Sequence, residues 1–267
     1  MKREEFEEIK SKLKDYQYSS MEYAEYEEVM EYEILCMNPE MILVSGYNPE
    51  AKEREYHWAA NKSKDLIQNI KKEGLVTFIP HAWVPEMEQE GFVVRNAWHE
   101  YFLKSMESIG ESAIETELLE KKDCKEASEV TMTCRGLSRG FTGQTEEWFL
   151  EWLSQNGDYA QNRTVFIERD AEGKIKGLVC TGTYGHDSEK GAVSWIREAA
   201  VRPEYQNQGV ARRLINQALY YGKCHGATRG FLAADEQNAG AIHLYESIGF
   251  EASEEESQID MRKCANR

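Results

Sequence analysis

Apolar residues first recur at helical spacing at Phe6, Ile9 and Leu13, one stripe of an otherwise charged segment, and this predicts an opening helix. An acidic, tyrosine-rich stretch follows to about Tyr32. Short apolar runs then predict strands at 33–36 and 41–44, the second closed by Gly46 and Pro49. Residues 62–73 read as a helix with Leu66, Ile67 and Ile70 on one face, and 75–79 as a buried strand. A short helix at 83–89 stops at Gly91, before a strand at 92–103. In the second half, 130–134 reads as a strand. Trp148, Phe149, Trp152 and Leu153 share one face of a helix that begins at Thr145 and ends at Gly157. Strands at 164–168 and 175–181 are joined through Asp170-Ala171-Glu172-Gly173, a hairpin signature. After a polar loop at 184–191 comes a strand at 192–201 that carries Arg197 and Glu198. Val210, Leu214, Ile215, Ala218 and Leu219 make a strongly periodic helix. A strand at 231–234, a helix at 239–248 and a strand at 257–261 complete the order. Strands alternating with helices predict an α/β fold on a mixed sheet.

Length and charge divide this pattern. A chain of 267 residues holds one large domain or two modest ones. The stretch 107–129 is rich in charge and poor in aromatics, as a helical linker would be, which places a boundary between 1–125 and 126–267. The same stretch also reads as a helix packed between two halves of a single fold. Hydrophobic residues at 41% and aromatics at 11% exclude a mostly disordered chain. No apolar run approaches the ~18 residues of a membrane span, and the charged opening MKREEFEEIK is no secretory signal. The six cysteines are scattered without a C-x-x-C pair, and the six histidines form no H-E-x-x-H. The reading is therefore reduced thiols, a cytoplasmic location and no metal. His57, His81 and His99 each lie next to or near a tryptophan and read as packing residues. With 32 basic against 48 acidic residues the net charge is −16, which repels polyanions and attracts a cationic substrate. Neither nucleic acid nor membrane is expected as a partner. Plain solubility accounts for an acidic surface as readily as substrate steering does.

The segment that carries chemistry runs from Ala199 to Ala211. A strand ends at Val201, Pro203 breaks it, and a polar loop with one glycine, Gly209, turns directly into the periodic helix. The first N–H groups of a helix lack internal partners and sit at its positive end. Small residues at 209 and 211 let an anion such as a pyrophosphate approach the backbone. The loop is neither a Walker loop nor a G-x-G-x-x-G fingerprint.

Val201-x-Pro203 followed by Gln206-x-x-Gly209-x-Ala211 resembles the acetyl-CoA-binding motif of the GCN5-related N-acetyltransferase (GNAT) superfamily. Asn238-x-x-Ala241-x-x-Leu244-Tyr245-x-x-x-Gly249-Phe250 is similar to its second signature. The resemblance spans roughly 128–264. It implies a GNAT-type α/β fold in the C-terminal half, with acetyl-CoA as cosubstrate. Pantetheine would lie along Ala199, Ala200 and Val201, and pyrophosphate over Gln206, Asn207, Gln208, Gly209, Val210, Ala211 and Arg212. Arg212 reads equally as a solvated helix-face residue. Asn238 resembles the family residue that bonds the pantetheine arm, and it also suits a helix N-cap. Tyr245 resembles the general acid that protonates the leaving thiolate.

An amine of pKa ~10.4 is neutral in only about one molecule in 2500 at pH 7, so its proton needs an acceptor. Glu198 is the first choice of base, since many family members hold an acidic residue on this strand; a salt bridge with Arg197 is its ordinary alternative. Asp235 is second, His186 and Asp187 third, and a water chain stays open. The resemblance places Thr142, Gly143 and Gln144 by the acceptor pocket, and Cys180 reads as core. The order of elements in 1–120, with Glu90-Gly91-Phe92 echoing Ile248-Gly249-Phe250, is similar to the back portion of the same fold. It lacks the Gln-x-x-Gly loop, as expected of a degenerate, non-catalytic GNAT-like α+β domain, or of an unrelated one. The expected activity is direct acetyl transfer to the primary amine of a small molecule or peptide. The alternatives are a non-catalytic acyl-CoA-binding or regulatory module, and an enzyme using another acyl group or acceptor atom. A homodimer is the default assembly.

Overall fold

The boundary between two units of the chain falls inside one strand, Phe92–Leu103. Met1–Trp98 with Glu256–Arg267 form the first unit and His99–Glu255 the second. The computed structural model describes residues 1–48, 52–111, 116–154 and 160–264.

In the first unit, Glu33–Met37, Met41–Asn48 and Glu53–Ala60 pair antiparallel in sequence order. Gly74–Ile79 joins parallel to Glu53–Ala60, and Gln258–Lys263 lies antiparallel to both Gly74–Ile79 and the start of Phe92–Leu103. The helices Ser63–Asn69 and Val84–Gln89 bury Leu66 and Met87 against Leu43, Tyr56, Trp58 and Val76. On a second core the opening helix Arg3–Lys12 sets Phe6 and Ile9 against Ile42, Val44 and Ala59. The parallel pair is short, with partners only at Glu55↔Leu75 and Tyr56↔Val76. Beyond it the chain's own segment pairs instead: Tyr18 with Ala60 and Ser19 with Ala59. Ser20 N–H and Met21 N–H donate to Trp58 O at 2.9 and 3.3 Å, and Trp58 N–H donates to Ser20 Oγ at 2.9 Å. The buried Trp58 indole spans to Thr77 O at 2.9 Å. The diverging strands of this unit are thus bridged by protein.

The second unit is a mixed sheet in the order His99–Leu103 end of its first strand, Ala227–Asp235, Ala192–Val201, Ile175–Tyr184, Gln161–Arg169, Glu117–Leu118. The pair Ala192–Val201 and Ala227–Asp235 is parallel, and the later neighbours are antiparallel. The 15-residue helix Val210–Cys224 packs Leu214, Ile215, Ala218 and Leu219 against Val179, Ile196 and Leu232. Full burial of each of Leu214, Ile215 and Leu219 contributes roughly 1.5–3 kcal/mol, so this stripe fixes the helix, and with it the loop at its N-terminus. The helices Cys124–Thr133 and Glu146–Ser154 make a separate core with Val165, Ile167, Leu178 and Cys180.

Several expectations change. Residues 130–134, expected as a strand, belong to the helix Cys124–Thr133. Its buried Cys124, Ala127, Val130 and Thr131 follow helical spacing, which the short β-branched run obscures. The expected linker at 107–129 instead contains the strand Glu117–Leu118 and the start of that helix. A boundary at 125 would cut through cores that draw on Tyr101, Leu103, Met106, Leu119 and Cys124. The final strand is counted with the first unit. The strand Glu53–Ala60 had no legible period, since it opens on three charged residues and then is buried on both faces. Gly46 does not end its strand; it lies within Met41–Asn48, where a Cβ would come within 2.0 Å of the Tyr32 ring. Pro49 and Gly157, read as stops, lie outside the described residues.

Candidate active site

The site is built where two parallel strands of the second unit part. Ala192–Val201 and Ala227–Asp235 pair from Ala192↔Ala227 to Trp195↔Phe231 and share no pair beyond. The other edge of Ala192–Val201 stays bonded to Ile175–Tyr184 as far as Val201↔Gly177, so only one edge opens. A register shift between Ile196 and Glu198 makes Arg197 the extra residue of a bulge at the point of divergence, a device that re-aims side chains.

The loop that follows is locally determined. Arg202 N–H bonds Lys176 O, and Pro203–Tyr205 makes one 3₁₀ turn. Gln206 Nε2 turns back to donate to Val201 O at 2.9 Å. Asn207 (φ 60°) and Gly209 (φ 76°) both adopt the left-handed conformation that brings the backbone round into the helix. The first helical bond runs from Arg213 N–H to Gly209 O, which leaves the amides of Val210, Ala211 and Arg212 without helical acceptors. Those amides, at the positive helix end beside a side-chain-free Gly209, fit a pyrophosphate. Arg213 braces the loop from behind. It donates to Gln208 O at 2.9 Å and twice to Glu168, at 2.9 and 2.8 Å. Although burial works against ionisation, the Arg213 and Lys176 hydrogen bonds hold the Glu168 carboxyl below its ordinary range. Arg212 lies against the next helix, donating to Ser247 Oγ at 2.5 Å.

Glu198 is buried, 8% exposed, beside the opening. Burial pushes its carboxyl up, while Arg197, at 3.9 Å, and Gln144, donating at 3.0 Å, partly offset the rise. Tyr245 is on the helix Ala239–Ile248, pinned by its C-terminal turn: Gly249 is left-handed and Phe250 N–H bonds Tyr245 O at 3.1 Å. The Tyr245 phenol is pushed up to about 12, by burial first and then by the charge of Glu198. The fold therefore sets these two groups, distant in sequence, within electrostatic reach. Asn238 caps the same helix, its side chain accepting from Ala241 N–H at 3.2 Å.

The other candidate bases are not brought to this point. Asp235, fully buried, pairs with Arg139 at 2.9 Å and accepts from Gln237 N–H, so its carboxylate is already engaged. His186 and Asp187 lie on an exposed turn, where His186 bonds Thr183 Oγ1 at 2.8 Å. Cys180 is the strand partner of Glu198, fully buried, its thiol pushed well up by burial; it is core, as expected. Sequence reasoning missed Arg139 and Arg213. Neither carries a local signal, because their partners Asp235 and Glu168 are remote in sequence.

Comparison with known proteins matches residues 130–250 to the Acetyltransferase (GNAT) family. An uncharacterised N-acetyltransferase from Methanocaldococcus jannaschii is 32% identical over 108 residues, 40% of this chain and 46% of that protein. The spermidine N(1)-acetyltransferase of Vibrio cholerae is 33% identical over 99 residues, 35% of this chain and 51% of that one. The chain thus spans about half the length of these curated relatives. Among solved structures, a GCN5-related N-acetyltransferase from Sphaerobacter thermophilus superposes with a TM-score of 0.55 at 15% identity, over 84% of this chain and 80% of that one, a likeness of fold. Sequence motifs, parted strands and family match agree: residues 130–250 are similar to the GNAT acetyltransferase family.

Proposed function

We propose that the second unit is an acetyl-CoA-dependent N-acetyltransferase that moves the acetyl group directly to a primary amine. The observation that carries this reading is the pair Glu198 and Tyr245, electrostatically coupled beside the opening between Ala192–Val201 and Ala227–Asp235. Acetyl-CoA is the substrate the opening and the helix N-terminus fit. The open backbone edge of Ala199, Ala200 and Val201 would take the pantetheine arm, with Asn238 on the far side. Gln206 to Arg212 would take the pyrophosphate.

In this reading Glu198 receives the proton of the incoming ammonium, and burial, by raising its proton affinity, suits it to that task. The free amine attacks the thioester carbon, the carbon–sulfur bond breaks, the thiolate takes a proton from Tyr245, and the proton then lost from the new amide nitrogen restores the phenol. Burial first, and then the charge of Glu198 while it is ionised, hold the proton on Tyr245. Positioning and proton management do the work.

For the acceptor, the overall charge of −16 supports a cationic amine, and a polyamine, an aminoglycoside and a lysine side chain are the classes to try. For the first unit we read a GNAT-like fold without cofactor binding, supported by the segment Tyr18–Met21 that bridges its diverging strands. Among the described residues no helix is long and apolar enough to cross a membrane. The deciding experiment is a thermal-shift titration of the full chain with acetyl-CoA, followed by mass analysis of products from spermidine, an aminoglycoside and a lysine peptide. A saturable rise in Tm is expected, with a gain of about 42 Da on one amine, the mass of an acetyl group replacing hydrogen. Saturable binding without any acylated product would favour the regulatory-module alternative. A product of different added mass would name another acyl donor.

A further inference from the structure

We propose that Gln144 is the positioning residue of this site: its side-chain amide, anchored on the helix Cys124–Thr133, holds the Glu198 carboxylate in place to receive the acceptor's proton. The inference rests on the reading of Glu198 as the base. Gln144 Nε2 donates to Glu198 Oε2 at 3.0 Å, across 54 residues of sequence. Its own backbone is clamped on both sides. Gln144 N–H donates to Thr131 Oγ1 at 2.8 Å, and Gln144 O accepts from Ser128 Oγ at 2.8 Å and from Thr131 Oγ1 at 3.3 Å. Gly143 before it is left-handed (φ 74°) and so close to the helix that a Cβ would lie 3.0 Å from Met132 Sδ and 3.1 Å from Thr131 O. The residue that touches the carboxylate is therefore fixed to a rigid element rather than to a free loop, as a preorganised site requires. The same loop is tied at a second point, where Arg139 bonds Asp235 at the end of the opposite strand. One segment thus meets both arms of the opening, and its two contacts differ: an ion pair closes one arm, a neutral amide leaves Glu198 free to gain and lose a proton.

The groups facing Glu198 are few. Among the described residues Arg197, on its own strand, is the one cation paired with it, at 3.9 Å. Cys180 on the neighbouring strand, Cys134 at the end of the helix Cys124–Thr133 and Tyr245 all feel its charge, and each is neutral in its ordinary state. A neutral amide that donates to the carboxylate favours the ionised form, so removing it shifts the titration of Glu198 upward.

The test uses the full chain labelled with ¹³C-glutamate, the Glu198 carboxyl signal being assigned by its loss in Glu198→Gln. Titration of wild type, Gln144→Leu and Gln144→Glu is expected to show the Glu198 midpoint at higher pH in the Leu variant. In the Glu variant, where two carboxyls share one site, it should lie higher still. With spermidine as acceptor, the acid limb of kcat/KM moves in the same direction, with a loss of about tenfold on that limb, while KM for acetyl-CoA holds. A Glu198 midpoint unchanged in either folded variant overturns the proposal. The carboxyl titration decides this even if spermidine is not acetylated. Full activity of Glu198→Gln toward an accepted amine would instead sink the base assignment while leaving the Gln144 contact to be judged by its own titration.

Discussion

Burying Glu198 costs the fold stability whenever the carboxyl is ionised. Its proton affinity is raised in the native state, so the native chain binds more protons than the unfolded one in the pH range just above the ordinary carboxyl value. Stability contributed by this residue is therefore full at pH below that value and is lost as pH rises through the raised one. Replacing Glu198 by Gln should raise Tm at neutral pH relative to wild type, with the gap closing near pH 4, while acetyl transfer drops about a hundredfold or more. Paired thermal melts at the two pH values and a rate assay check both signs; equal loss of stability and activity would point to a structural role. Tyr245→Phe leaves the ring and its contact with Phe250, at 6.3 Å between centroids, and removes only the hydroxyl. It should lower kcat with little change in KM for acetyl-CoA. An unchanged kcat would remove Tyr245 from the chemistry.

The element that matters most is the turn from Ala192–Val201 into Val210–Cys224. Arg202, Tyr205 and Gln206 are held by backbone bonds, Asn207 and Gly209 adopt left-handed backbone angles, and Arg213 braces the turn on Glu168. A side chain at Gly209 is disfavoured, because an L residue at its φ costs about 1–2 kcal/mol and its Cβ would meet the Arg213 Nη1 brace at 2.8 Å. Gly209→Ala should raise KM for acetyl-CoA about tenfold with kcat near wild type, measured by initial rates over a range of acetyl-CoA. A fall in kcat alone would show that the loop does not bind the cosubstrate. This element was legible in sequence because its signals are local: Pro203 ends the strand, Gly209 starts the helix, and the stripe Val210, Leu214, Ile215, Ala218 and Leu219 fixes its face. The helix Cys124–Thr133 was not, since the β-branched Val130, Thr131 and Thr133 read as a strand although the four buried positions keep helical spacing.

At the scale of the whole molecule the two units differ in what occupies the place where their strands diverge. In the second unit, among the described residues, no strand pairs with Ala192–Val201 on that edge beyond Trp195. In the first unit Tyr18–Met21 and the Trp58 indole bond across it. Calorimetric titration of the full chain should accordingly give one acetyl-CoA per chain, and a stoichiometry of two would contradict the reading of the first unit.

By itself the sequence determined the likeness of residues 130–250 to the acetyltransferase family, the course of the loop and the alternation of strands and helices around it, because each depends on residues close together in the chain. It also placed Glu198, Gln144 and Tyr245 near the site one at a time. Only the tertiary structure decided that Gln144 bonds Glu198, that Glu198 acts on Tyr245, and that Asp235 is taken by Arg139. It alone gave the last strand to the first unit and closed that unit's strands with Tyr18–Met21. The reason is common to all of these. A contact between remote residues leaves no period or spacing in the chain, and the burial that shifts a carboxyl or a phenol exists only once the sheet and its helices have packed.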